Sequence, residues 1–320
     1  MLPEARAYLH DLRRRLRIAP SKAQEILREL EAHLEDRTAE LMEMGLPRDQ
    51  AVRQALHELG DTRLVAREFY AVHARAPWPT TALAALPHVV ASLVFLTHGW
   101  ASPGVVAGLL AGATVISMLA WRRGQPEWVY PWMGYALVLP FTAGLAVALA
   151  LVGGVVDAIR GRVAPLDPPV YWAMLALLPG VIWFLSSLIG RFLARDWLYL
   201  TIALLPFPFL AGWGAFLQEH GGPFAYDATW LRWSAGPTAL AFLGLAGLTT
   251  TVYRLGARHL KVGAIALGLP VLALFLAMSY TPSPFTAPGL TALVLALLVL
   301  LLPPWLDWRR SRREERHRPA

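Results

Sequence analysis

Apolar residues recur along this chain in two rhythms, and the change between them divides it. Through residue 76 they return every three or four positions, one stripe per helix, with charged residues on the remaining faces. From about residue 80 to 308 they run in eight nearly unbroken apolar stretches, each close to the roughly 20 residues that cross about 30 Å of hydrocarbon. The pattern predicts an all-α protein: a small cytoplasmic helical bundle over 1–76, a polytopic membrane domain over 77–308, and a basic tail over 309–320. The spans fall near 81–98, 104–121, 132–156, 170–190, 197–217, 236–253, 262–280 and 288–306.

Within the prefix, Tyr8, Leu9, Leu12 and Leu16 predict a first helix, opened at Pro3 and closed at Ala19-Pro20. Ser21 and Gln24 have the spacing of a capping box for a second helix, striped by Ala23, Ile26, Leu27, Leu30, Leu34 and Leu41. Gly45 is placed to end it in the left-handed region, and Leu46-Pro47 starts a third helix with Ala51, Val52, Ala55, Leu56 and Leu59 inward. Gly60 stops that helix, and Asp61 caps a fourth through Leu64, Val65, Phe69 and Val72.

Two runs carry a resemblance. One is Glu29-Leu30-Glu31-Ala32-His33-Leu34-Glu35-Asp36-Arg37 to Leu41; the other is Gly45-Leu46-Pro47 with Ala51, Ala55-Leu56 and Leu59-Gly60-Asp61. Together they resemble the HAAS or permease prefix domain, which opens bacterial membrane proteins often encoded beside PadR-type regulators. The resemblance implies a cytoplasmic signalling or assembly role and brings no catalytic residues with it. It covers roughly the first 70 residues.

Charge adds an orientation. Residues 1–76 hold 13 Lys/Arg and 13 Asp/Glu, so the whole net charge of +7 lies in the membrane part and tail. With the prefix inside, 13 of the later basic residues fall on the inner side (Arg122, Arg123, Arg191, Arg195, Arg254, Arg258, Lys261 and the tail), and 3 fall outside: Arg160, Arg162 and Arg232. That asymmetry is the positive-inside signature and puts both termini in the cytoplasm of a bacterial plasma membrane. It also accounts for the basic balance without nucleic acid as a partner. Most of the 13 tryptophans mark span ends, as an amphipathic indole favours the headgroup zone. Trp183 and Trp213 lie deeper, which suits packing more than a ligand cage. Met1–Pro20 lacks the apolar core of a secretory signal, so the first span is expected to insert on its own.

Candidate chemistry is sparse. With no Cys there is neither disulfide nor thiolate. No catalytic residue, cofactor site or metal site emerges from the motifs. Glu29, His33, Asp36 and Arg37 crowd the best-matched helix and read as a polar face packed on a neighbouring helix or a protein partner. Gly104, Gly108 and Gly112 form a small-residue ladder, a helix-contact signature within the bundle or for a partner. His88 lies inside the first span, and Glu219, His220 and Asp227 share an outer loop whose default reading is an aromatic connector. Prolines 87, 140, 179, 206, 208 and 270 interrupt spans, a feature of substrate paths but also common in membrane helices. The expected function is a non-enzymatic regulatory or accessory membrane protein that contacts lipid and, through residues 1–76, a protein partner. The alternative is a permease for an apolar or lipid-like substrate.

Overall fold

The structure is a computed structural model that describes residues 3–16, 18, 20–161, 168–193, 196–219, 229–280 and 287–316. Helix is the only extended regular element among them.

Four helices build the prefix: α1 (Pro3–Arg15), α2 (Pro20–Glu43), α3 (Arg48–Leu59) and α4 (Thr62–His73). The single stripe of α2 serves two small cores. Near its start, Ile26 packs with Leu12, Leu16, Ile18 and Ala66; near its end, Leu34 and Leu41 pack with Ala51 and Ala55. The turns are set as the residue types dictate. Gly45 has φ +93°, and the Leu46 N–H reaches back to the Leu41 carbonyl at 3.1 Å. The Asp61 side chain caps α4 by accepting from the Arg63 N–H at 2.6 Å. The α2 start departs from expectation. Pro20 is already helical, so Ser21 sits inside the first turn instead of at the cap, and its side chain lies outside the described set. Proline suits that first turn, because its missing N–H has no helical partner there.

Beyond Pro77 the chain enters α5 (Trp78–Leu96), a short 3-10 turn (Gly99–Ala101), α6 (Pro103–Arg122), α7 (Val129–Ile159) and α8 (Pro168–Leu193). Then follow α9 (Trp197–Leu204), α10 (Phe207–Glu219), α11 (Thr229–Arg254), α12 (Arg258–Tyr280) and α13 (Ala287–Arg316). Among the described residues, seven helical segments are long and apolar enough to cross a membrane. They coincide with seven of the eight stretches read from the sequence. The remaining stretch, 132–156, falls in α7, one continuous helix of 31 residues, or about 46 Å at 1.5 Å per residue. Several α7 side chains lie outside the described set. The chain is a multi-pass membrane protein with an N-terminal helical prefix.

The bundle core runs along α5, α11 and α9–α10, where Ala84, Ala239 and Ala241 let backbones approach and Phe95, Phe209, Phe242 and Leu245 fill the space. Ser92 donates to the Ala239 carbonyl at 2.8 Å across the α5–α11 seam. α8 sits at the edge, with none of its most apolar window buried. Trp213 is buried in an aromatic cluster with Phe95, Trp100 and Phe216, whereas Trp183 on α8 is 71% exposed. Pro87, Pro140, Pro179 and Pro270 are absorbed within continuous helices. Among the described residues a span breaks at Leu205-Pro206, separating α9 from α10. Gly134 on α7 lies against that break; a Cβ there would collide with the Ala203 carbonyl oxygen.

Candidate functional site at the prefix–bundle junction

Five helix ends meet where the prefix joins the bundle. α4 and α5 are linked only by Ala74-Arg75-Ala76-Pro77, and this short segment is bolted to α11 and α12. The Ala76 N–H donates to the Tyr253 carbonyl at 3.0 Å. The Ala76 carbonyl accepts from Arg254 Nη1 at 2.8 Å, and the Ala74 carbonyl accepts from Lys261 Nζ at 2.7 Å. Ala74 and Ala76 are buried, so these main-chain groups would be costly to leave unpaired.

Beside this seam stands an ion pair. Asp196 precedes α9 and caps it, accepting from the Leu198 N–H at 3.1 Å. Both of its oxygens also receive the Arg258 guanidinium; Nη2 lies 2.6 Å from Oδ1, and Nη1 faces Oδ2. The fork geometry matches a planar carboxylate, and Asp196 is almost fully buried. Arg258 also lies over the Trp197 ring at 5.4 Å. Glu127, just before α7, completes the set. Its Oε1 accepts from the Tyr199 hydroxyl at 2.8 Å, and its carbonyl accepts from the Tyr253 hydroxyl at 2.5 Å. Tyr130 stacks on Tyr199 with centroids 4.3 Å apart.

The ends of α5, α7, α9, α11 and α12 therefore share one face. Each intervening helix pair leaves that face and returns to it. Between prefix and bundle remains a cavity of about 20 Å³, lined by Tyr70, His73, Glu127, Asp196, Tyr253 and Lys261 among others. That is room for about one water, not for a substrate. Here Lys261 and Arg254 act on carbonyls, Arg258 and Asp196 on each other, Asp196 also on a helix cap, and Glu127 on tyrosine hydroxyls. The arrangement is suited to holding two bodies in register.

Other candidates take simpler places. Arg37 braces α2 against α3, with Nε 2.7 Å and Nη2 3.2 Å from the two Glu58 oxygens and Nη1 2.8 Å from Glu40. The hydrogen bond from Arg37, then that from Gln54, holds the Glu58 carboxyl below the usual carboxylate range. Glu29, His33 and Asp36 stay exposed on α2. On another face of α2 a groove of about 330 Å³ opens among Ala5, Leu34, Glu35, Thr38, Met42, Arg48 and Val52. The Gly104, Gly108 and Gly112 ladder is not a close approach inside the described bundle. A Cβ at Gly108 or Gly112 meets nothing within 4 Å, and one at Gly104 meets only Ser102 at 4.0 Å. The intimate α7–α8 contacts lie at Gly144 against Val181 and Gly154 against Tyr171. His88 is fully buried, and its Nδ1 hydrogen-bonds with the Tyr135 hydroxyl at 2.8 Å. His220 and Asp227 lie outside the described residues, as does the Glu219 side chain.

Sequence reading missed the junction as a set. Arg254, Arg258 and Lys261 count there only as topology charges, and Glu127 and Asp196 go unremarked. The available signal was a pair of acids inside otherwise basic loops, Asp196 directly before an apolar helix in the N-cap position. Searches of curated proteins and of solved structures each found nothing matching the chain. A scan against family models matches residues 7–68 to HAAS, so the protein carries an N-terminal HAAS domain.

Proposed function

We propose that this is a non-enzymatic regulatory or accessory membrane protein whose HAAS domain receives a protein partner and passes its position to the bundle. The observation that carries this reading is the seam at Ala74–Ala76. Three hydrogen bonds fasten a four-residue connection to α11 and α12, where a flexible linker would let the prefix move without consequence. A partner that shifts α4 has to strain or break those bonds. The exposed Glu29, His33 and Asp36 on one face of α2, and the groove on another, are surfaces open to such a partner. The preponderance of basic residues in the loops on the prefix side supports a bacterial plasma-membrane protein with both termini cytoplasmic. The test is affinity purification from native membranes with and without residues 1–76. Loss of a stoichiometric partner on deletion supports the reading, and an unchanged set of partners overturns it.

A second reading, a permease for an apolar or lipid-like substrate, draws on the break at Leu205-Pro206 within the most buried span. Broken helices expose backbone groups that line transport sites. Transport that fails on Pro206→Ala would favour it, and absence of uptake across a lipid and drug panel would remove it.

A further inference from the structure

We infer that Arg75, Arg254 and Trp78 form a binding site for a phosphate-bearing lipid headgroup at the edge of the junction. Arg254 ends α11 and Trp78 opens α5, so both stand where an apolar span gives way to the headgroup zone. The Arg254 guanidinium lies 4.4 Å from the Trp78 ring centroid, which fixes its plane, while Trp78 itself is 63% exposed. Arg75 crosses the same corner. A Cβ added at Gly256 would lie 2.9 Å from Arg75 Nε and 3.5 Å from Arg75 Cγ, so the arginine stem is laid over the glycine.

These two guanidiniums differ from the other arginines that organise the molecule. Arg15, Arg37 and Arg258 each face a carboxylate within 2.7 Å, whereas among the described residues Arg75 and Arg254 have none. Arg254 uses one Nη on a neutral carbonyl, Ala76, and a guanidinium carries five donors. Two arginines at one corner, with spare donors on Arg254 and an indole wall beside it, suit a phosphate diester in charge and hydrogen-bonding capacity. The adjoining apolar helices α5 and α11 would line the acyl chains. A soluble phosphate offers the same oxygens without the chains.

The test uses the full-length protein in a neutral detergent, with thermal unfolding followed as phosphatidylglycerol, phosphatidylcholine or inorganic phosphate is titrated in. Phosphatidylglycerol is expected to stabilise, and the other two are not. Arg75→Gln and Arg254→Gln should each weaken the phosphatidylglycerol response on the order of fivefold, the effect of one basic residue near a charged surface. Arg123→Gln, a change at an exposed basic residue in a loop of the same face, should leave it intact. Equal stabilisation by phosphatidylcholine overturns the site, and equal stabilisation by inorganic phosphate assigns it to a free anion instead. A comparable loss in Arg123→Gln reduces it to diffuse charge. Should Arg254→Gln fail to fold, Gly256→Ala displaces Arg75 without altering any charge. A weakened response there supports the site, and an undiminished one refutes it.

Discussion

Asp196 and Arg258, 62 positions apart, meet through both carboxylate oxygens and the two terminal guanidinium nitrogens, joining the start of α9 to the start of α12. Asp196 does two jobs, since the same carboxylate caps α9 through the Leu198 N–H. The two can be separated. Arg258→Ala removes the bidentate arginine from a buried carboxylate and is expected to cost about 3–5 kcal/mol, read as a lowered unfolding midpoint in detergent. Asp196→Asn keeps a good cap and loses only the ion pair, so it should be milder than Asp196→Ala, which loses both. Equal midpoints for Asn and Ala would show that the cap contributes nothing.

Glycine positions give a second contrast. Gly134→Ala forces a methyl into the Ala203 carbonyl across the α7–α9 contact, and the backbones must part. Gly108→Ala meets open space on α6 and replaces a poor helix former with the best one. Thermal unfolding should therefore fall by several degrees for Gly134→Ala and hold or rise for Gly108→Ala. The reverse order would mean that the ladder, not Gly134, is the close contact.

Acid should loosen the prefix. The Asp11 carboxyl is lowered first by the hydrogen bond from Arg15, with Thr62 assisting against the opposing effect of burial; Glu58 is lowered by Arg37 and Gln54. A carboxylate whose folded value is depressed binds protons more readily when unfolded. Its stabilisation is thus complete above the unfolded range, near about 4, and is lost as pH falls through the folded value. Hydrogen exchange of α2 and α3 should accelerate on acidification, and Arg37→Ala should flatten that dependence while weakening the domain at neutral pH. An unaltered pH profile in the variant would break the link to Glu58.

Much of this architecture was legible because its signals are local. Gly45, Gly60 and Asp61 act on their own turn, and an apolar run of 20 residues is visible wherever it goes. The rotation of each membrane helix was not legible, since lipid and protein interior are equally apolar and no polar stripe marks the outer face. That is why Gly104, Gly108 and Gly112 read as a contact while Gly134 drew no notice. The junction was hidden for a different reason. Ala74, Glu127, Asp196 and Lys261 are spread over nearly 190 positions, and each alone has an ordinary explanation as a loop residue or topology charge. Only the return of each helix pair to one face makes them a set.

Lys261 provides the sharpest test of that set. Its ammonium donates to the Ala74 carbonyl at 2.7 Å and lies 5.9 Å from the Tyr70 ring, both prefix groups, while its stem belongs to α12. Lys261→Met keeps the stem and removes the donor. The buried Ala74 carbonyl then loses a charge-assisted bond, a contribution of about 1.5–3 kcal/mol, so local opening of the seam should become about ten- to a hundredfold more frequent. The amide to watch is Ala76, whose N–H is bonded to the Tyr253 carbonyl and exchanges only when the prefix lifts. Amides around Leu34, Leu41, Ala51 and Ala55 belong to a separate core and should keep their protection. Faster exchange at Ala76 with an unchanged prefix core would show two intact bodies coming apart at a defined seam. Uniform loosening would mean that the prefix depends on the bundle for its fold, and no change at Ala76 would mean that Lys261 does not hold the seam.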